Sequence, residues 1–262
     1  MTRRGRRTNE LLRIASFAVL HPLAQQFAGV ADAYDRGRPG YPPKAIKIAA
    51  CAFELQAHDR VADLGAGTGK LTTALLAAGL DVVAVEPLDE MRARLRDVEV
   101  VSATAEDLPF ADGSLAAAFS GDAFHWFDAD AVAAELYRVL RPRGGVALLW
   151  HLPDWHGDVP GWVTQLGALL DGVRTDHPGF TTDQGRAGFE RHGGFEPFTH
   201  ESVSFTVPTD RDRMVANVQS ISYVAGHPER DRVLDEVRAI LRDLEPFDAP
   251  LRTDIWLTRK RS

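Results

Sequence analysis

A chain of 262 residues, 45% apolar and 26% charged, has the size and balance to bury an ordinary globular core without cross-links. Its net charge of −7 leaves no global basic footprint for nucleic acid, and its single cysteine, Cys51, excludes an intrachain disulfide framework and fits a reducing, cytoplasmic compartment. No run approaches the roughly 18 apolar residues of a membrane span.

At the N-terminus, Arg3, Arg4, Arg6 and Arg7 precede an apolar stretch at 11–20, an arrangement that mimics a signal peptide. Arg13 interrupts that stretch, His21-Pro22 ends it and no small-residue cleavage site follows. The expectation is a basic, partly disordered start and a short amphipathic helix. Residues 27–41 read as an irregular segment, because two glycines and three prolines fall within 37–43. A helix is predicted over 44–55, with Ile46, Ile48, Ala49, Ala52 and Phe53 approximating one face.

The stretch 60–64 is the first buried strand, followed by a glycine turn and a helix over 70–78. A second apolar run begins at Asp81 and closes on Glu86-Pro87, and a helix over 88–96 follows it. Strands at 99–102 and 116–119, a loop at 105–110, a turn at 112–113 and a helix at 130–140 come next. Arg141-Pro142-Arg143-Gly144-Gly145 ends that helix before a fifth strand at 146–150. Strands alternating with helices imply a parallel sheet covered on both faces, with right-handed crossovers. Beyond Trp150 the pattern loosens into a loop at 151–160, a helix at 161–173, a turn at 192–195, a strand at 199–207, helices at 210–223 and 228–244, and a last strand at 252–258. With no repeat and no linker, the chain reads as one domain over 1–262.

The chemistry concentrates in Asp63-Leu64-Gly65-Ala66-Gly67-Thr68-Gly69. Glycines there permit positive φ and close backbone approach to a ligand, and the next helix begins with free N–H groups. Glu86 lies 21 residues beyond Gly65, near the spacing at which an acid meets ribose hydroxyls in dinucleotide folds. A carboxylate suits that task because it accepts from both vicinal hydroxyls; the alternative is a strand-end charge that caps the following helix. A nicotinamide dinucleotide usually wants Gly-x-Gly-x-x-Gly, whereas position 70 here is lysine. The spacing instead matches S-adenosylmethionine enzymes, whose ligand has no pyrophosphate.

These motifs, with Val85-Glu86-Pro87 and Met91, Ala105-Glu106-Asp107-Leu108-Pro109-Phe110, Ala123-Phe124-His125-Trp126-Phe127 and the segment from Glu135 through Pro142 to Gly145, resemble a class I S-adenosylmethionine-dependent methyltransferase. More narrowly the chain is similar to the small-molecule group, methyltransferase type 11, that includes ubiquinone/menaquinone-biosynthesis and trans-aconitate-type enzymes. Residues 34–42 resemble a lid segment of that group, so the resemblance spans about 34–150, and the second half follows the group only in outline. It implies an α/β, Rossmann-like, doubly wound seven-stranded sheet, mostly parallel with an antiparallel C-terminal strand. An N-terminal helix and lid would occupy 1–43, the cofactor core 44–150 and a substrate-side elaboration 151–262.

The resemblance also implies roles. Gly65, Ala66 and Gly67 would pass under the methionine moiety and ribose of S-adenosylmethionine, Asp63 would orient its amino group, and Glu86 would bind the ribose hydroxyls. Pro87 and Met91 would wall the adenine, Ala105 and Glu106 would meet its edge, and Ser120 and Asp122 would lie beside the methionine and methyl groups. Tyr34 and Arg38 would close over the cofactor, with Arg38 either pairing the ligand carboxylate or facing solvent. Two positions depart from the group: Ala116 stands where an acid is usual, and Gly121-Asp122 where Ala-Gln or similar is common. Asp122 is therefore equally suited to a substrate hydroxyl or amine, or to capping a turn.

The expected reaction transfers methyl to O, N or C of a small-molecule acceptor and releases S-adenosylhomocysteine. It needs alignment and exclusion of water but no metal, and a base only where the nucleophile starts protonated. His125 is placed to be that base, against the alternative of a packing histidine in an aromatic cluster. His151 and His156 have no third metal ligand at a telling spacing, and Trp150, His151, Trp155 and Trp162 either line a substrate pocket or cover the sheet. Two rivals remain at this level: a nicotinamide-dependent oxidoreductase and a non-catalytic S-adenosylmethionine-binding protein. The sequence leaves the acceptor and the oligomeric state open.

Overall fold

In a computed structural model, residues 31–154, 159–174, 182–244 and 246–262 are described. The expected N-terminal helix at 11–20, Trp155 and His156 lie outside them.

The chain runs α1 (Ala31–Gly37), α2 (Pro43–Ala52), β1 (Arg60–Leu64), α3 (Lys70–Ala77), β2 (Asp81–Val85), α4 (Asp89–Arg92), β3 (Glu99–Val101) and β4 (Leu115–Gly121). A 3-10 turn (Phe124–Trp126), α5 (Ala129–Val139), β5 (Leu140–Pro153), α6 (Gly161–Val173), α7 (Thr182–His192) and β6 (Thr199–Thr209) follow. Then come α8 (Arg211–Gln219), α9 (Ser222–Ala225), α10 (Arg230–Ile240) and β7 (Phe247–Arg259). The seven strands form one sheet in the order β3-β2-β1-β4-β5-β7-β6. β1 to β5 are parallel, and β7 runs antiparallel to both β5 and β6. The chain thus has the Rossmann-like, mostly parallel sheet with one antiparallel C-terminal strand.

The inner strands read as unbroken apolar runs because both of their faces are covered. Val61 and Val82 turn toward Ile46 and Ala49 of α2 and Leu71 and Leu75 of α3. Their neighbours Ala62 and Val83 turn toward Val132 and Leu136 of α5 and Phe189 of α7. A third cluster ties α6, α8 and α10 together through Leu166, Leu170, Met214, Val218, Val233 and Val237. Through Leu170 and Asn217 this helical layer shares a cavity with Asp122, just past the end of β4.

Several boundaries differ from expectation, each for a tertiary reason. Residues 31–37 are helical inside the segment read as irregular. Gly37 lets α1 lie on α8, since a Cβ there would come within 2.1 Å of the Asn217 backbone nitrogen. α7 falls in a stretch where no helix was expected. Its Gly185 and Gly188 lower helix propensity but admit Phe124 and the Ala129 backbone, which added Cβ atoms would meet at 2.8 and 2.5 Å. The helix expected over 210–223 breaks at Ile221, whose extended φ of −70° and ψ of 125° separate α8 from α9. β5 absorbs both the Arg141–Gly145 segment, through an irregularity in its pairing with β4, and residues 151–153, which were read as loop. The latter pair with β7, His151 opposite Thr253 and Pro153 opposite Leu251.

Candidate active site

The glycine turn emerges from β1 with φ of 66° at Gly65, 57° at Gly67 and 90° at Gly69, values that disfavour a side chain. Gly65 also needs its missing Cβ, which would sit 2.8 Å from that of Ala123. The Gly65 and Ala66 N–H groups donate to the Val85 carbonyl at 2.9 and 3.1 Å, pinning the turn to the end of β2. Glu86 then bridges turn and following helix: Oε2 accepts from the Gly67 N–H at 2.9 Å and Oε1 from the Leu88 N–H at 2.9 Å. Burial raises this carboxyl above its ordinary range, and the two backbone bonds only partly offset that.

Asp63 is buried at the end of β1. Its Oδ2 accepts from the Thr72 hydroxyl at 2.6 Å, while Oδ1 has no partner among the described residues. Burial, with a smaller push from Glu86 and against the Thr72 bonds, lifts the carboxyl to about 7. A buried acid with one vacant oxygen is configured to receive a cation.

α1 covers this end. Lys70 at the start of α3 holds it by donating to the Asp35 backbone carbonyl at 2.7 Å and pairing with its carboxylate at 2.9 Å. Arg38 Nε donates to the Ser220 hydroxyl at 3.0 Å, and its guanidinium lies 5.4 Å from the Tyr34 ring centroid. Burial, followed by the surrounding carboxylates and opposed by Arg38, pushes the Tyr34 hydroxyl up to about 12, so it stays protonated.

Asp122 closes β4 with a left-handed φ of 51°. Its Oδ2 accepts from the Tyr41 hydroxyl at 2.9 Å and lies 3.3 Å from His151 Nδ1, while Oδ1 accepts from the His151 N–H at 3.0 Å. Burial works to raise the Asp122 carboxyl, but the His151 ring, Arg38 and the backbone bond outweigh it and hold the group below its ordinary range.

Two cavities meet here. A cleft of about 80 Å³ is lined by Gly65, Gly67, Glu86, Pro87, Met91 and Trp126, among others. A larger cavity of about 360 Å³ lies below α6, α8 and α9, with His125, His151, Leu170, Ile221 and Arg252 on its walls. Tyr34 and Asp122 line both. Ala66, Asp63 and Arg38 border the narrow recess between them. The structure therefore brings together Tyr34, Arg38, Asp63, Gly65, Ala66, Gly67, Glu86, Pro87, Met91 and Asp122, with His125 on the larger cavity. It sets three expected residues apart from these linings. Ala105 packs in the core, Ser120 is enclosed in the sheet, and Glu106 accepts from the Asp128 N–H at 3.0 Å at the start of α5.

His151, expected to line a pocket or cover the sheet, is on the cavity wall, and Tyr41 joins the site without having been singled out for it. What the loop reading hid is the pairing of His151 with Asp122, which follows once the strand continues to 153. No comparable cue marks Ile221, Ser222 and Tyr223, which the α8–α9 break delivers to the cavity.

The donor set fits S-adenosylmethionine: a vacant carboxylate oxygen for its amino group, a forked carboxylate beside a glycine turn for its ribose, and an apolar wall of Pro87 and Met91. Comparison with known proteins agrees. A methyltransferase-domain family model matches residues 62–148. An uncharacterised methyltransferase of Mycobacterium tuberculosis is 39% identical over 233 residues, 84% of this chain and 86% of that protein. A demethylmenaquinone methyltransferase of Mycolicibacterium vanbaalenii is 35% identical over 134 residues, 47% of this chain and 58% of that protein. Among solved structures, a candidate type II methyltransferase from Anaeromyxobacter dehalogenans superposes with a TM-score of 0.60 at 26% identity, over 86% of this chain and 97% of that one. The fold is shared with Haemonchus contortus phosphoethanolamine N-methyltransferase 2, solved with S-adenosylhomocysteine, at a TM-score of 0.55 and 17% identity over 90% of this chain and 58% of that one. The chain belongs to the class I S-adenosylmethionine-dependent methyltransferases, and its reaction is S-adenosylmethionine-dependent methyl transfer.

Proposed function

We propose that the smaller cleft and adjoining recess hold S-adenosylmethionine, and that the larger cavity holds a small-molecule methyl acceptor, all within one methyltransferase domain. The observation that carries this reading is that Tyr34 and Asp122 line both spaces, so that a donor and an acceptor bound in them would lie side by side. A volume of about 360 Å³ lies within the usual range of small-molecule pockets, about 300–1,000 Å³.

Bound S-adenosylmethionine would supply an electrophilic methyl group on a sulfonium. The chain's own residues bind, orient and enclose. Glu86 accepts from the ribose hydroxyls, Asp63 Oδ1 from the amino group, and Arg38 pairs with the carboxylate. The Gly65–Gly67 backbone lets the ligand approach closely, and Pro87 and Met91 flank the adenine. α1 excludes water from above through Tyr34, and the cavity wall, His125 included, sets the approach of the acceptor. Positioning of this sort can lower a barrier by roughly 7–11 kcal/mol without a metal. The demethylmenaquinone relative overlaps only about half of this chain, so its substrate is not carried over. A fold without a membrane-length apolar helix among the described residues is consistent with work in the cytoplasm.

The test is calorimetry on the full chain. S-adenosylhomocysteine should bind at one site per chain and NADH should not. NADH binding without S-adenosylhomocysteine binding would overturn the reading in favour of an oxidoreductase, and cofactor binding with no methyl loss against any small acceptor would favour a binding protein.

A further inference from the structure

We propose that Asp122 and His151 form the proton-accepting pair of the methyl transfer, and that the acceptor presents an un-ionised hydroxyl of the phenol class to His151 Nε2. This rests on reading the larger cavity as the acceptor site.

The geometry of the ring carries the inference. His151 stands near the end of β5, and its side chain is only 5% exposed. One ring nitrogen, Nδ1, faces Asp122 Oδ2 at 3.3 Å. The other, Nε2, is buried with no partner among the described residues, although the residue lines the cavity. The ring is held between Tyr41 and Phe205, with centroids 4.1 and 5.7 Å away. Asp122 is itself fixed by the Tyr41 hydroxyl and the His151 backbone N–H. Burial, reinforced by Asp122, raises the Tyr41 hydroxyl well above its ordinary value, so Tyr41 remains a donor. An anionic Asp122 keeps the ring proton on Nδ1 and leaves Nε2 as the accepting nitrogen of the ring. That is the arrangement of an oriented general base, the third group holding the base in one tautomer. His125 lines the same cavity but sits on the 3-10 turn, its ring centroid 4.5 Å from that of Trp126.

A base of this kind matters for a hydroxyl. Neutral oxygen becomes a competent nucleophile as its proton leaves, whereas a neutral amine attacks without help. The phenol class follows from the match of a histidine base to a phenolic proton and from the apolar cavity wall formed by Leu152, Leu170 and Ile221. The oxygen–methyl bond forms as the methyl–sulfur bond breaks, and sulfur keeps that electron pair. The hydroxyl proton passes to Nε2, Asp122 stabilises the resulting imidazolium, and the proton returns to water after the methyl ether leaves.

The experiment measures S-adenosylhomocysteine release by the full chain at neutral pH with two probes of similar size. One is 4-methylphenol, whose hydroxyl is protonated, and the other is pentafluorophenol, which is largely ionised. Wild type should turn over both. His151→Gln should lose about 10²–10⁴-fold in kcat on 4-methylphenol but less than tenfold on pentafluorophenol, with S-adenosylhomocysteine affinity retained. His125→Gln should keep the wild-type ratio between the probes. Tyr41→Phe, which loosens Asp122 but leaves the ring nitrogen, should give the same selective loss at smaller size, and it serves as the second variant if His151→Gln does not fold. Equal losses on both probes, a collapsed ratio in His125→Gln instead, or no phenol turnover by a chain that binds S-adenosylhomocysteine would each overturn the proposal. Failure to bind S-adenosylhomocysteine at all would instead overturn the cofactor reading beneath it.

Discussion

The cleft at the ends of β1 and β2 and the cavity beneath α6, α8 and α9 touch through Tyr34 and Asp122, yet they are assembled in opposite ways. Most of the cleft comes from two strand–turn–helix units. Asp63, the glycine turn and Glu86 span only 24 residues, and backbone bonds from Gly65, Ala66 and Gly67 lock them to one another. The cavity gathers His125 from a 3-10 turn, His151 and Arg252 from antiparallel partners, Leu170 from α6 and Ile221 from a helix break. The first is rigid because its contacts are local and mostly backbone. The second owes its shape to side chains on separate elements, so residues can change there without disturbing the cleft. On the proposed assignment, a donor common to the family occupies a local site and an acceptor particular to this chain a composite one, which is the division this contrast teaches.

Substitutions can break that contrast most strongly on the cleft side. Glu86→Ala removes the forked acceptor and orphans the Gly67 and Leu88 N–H groups. S-adenosylhomocysteine should bind roughly 30- to 150-fold more weakly by calorimetry, the equivalent of about 2–3 kcal/mol. Gly65→Ala places a side chain at a φ of 66° and 2.8 Å from the Ala123 Cβ. It should destabilise the fold by about 1–3 kcal/mol, lowering Tm by roughly 2–10 °C in a thermal melt.

The next effect is a pH dependence. Burial raises the Asp63 carboxyl from 3.8 to about 7 in the free protein, so below pH 7 it holds a proton that the ligand's ammonium must displace. Affinity for S-adenosylhomocysteine should therefore fall by about tenfold per pH unit as pH drops below 7. The sign for stability is the reverse. A raised carboxyl favours the folded state while protonated, so the free protein loses stability as pH climbs from about 4 through 7. Asp63→Asn should melt higher than wild type at pH 8 while binding the ligand worse. The smallest effect lies across the boundary. Ile221→Ala, on the cavity wall, should shift the acceptor KM and leave S-adenosylhomocysteine affinity within about twofold.

The same contrast explains what could be read from the sequence. Glycines that need positive φ, an acid at the end of each of two buried strands and the alternation of strand and helix are local signals, and they outline the parallel sheet and the cleft in the sequence itself. Glu86 caps the turn into α4, as one of its two readings has it, and it also lines the cleft. Ala105, Glu106 and Ser120 carry the motif pattern without lining the cavities: Ala105 packs in the core, Glu106 bonds the Asp128 N–H and Ser120 is buried within β4. What stayed hidden depends on tertiary pairing. Residues 151–153 look like loop until β7 pairs with them, α7 carries two glycines that only its packing against Phe124 and Ala129 explains, and no proline or glycine announces the break at Ile221.

The most direct measurement is calorimetric titration of S-adenosylhomocysteine into wild type, Glu86→Ala and Ile221→Ala under one set of conditions. One site per chain in wild type, weakened at least tenfold by Glu86→Ala and essentially unchanged by Ile221→Ala, is the predicted result. Equal weakening by both variants, or binding indifferent to Glu86, would contradict the division between donor cleft and acceptor cavity.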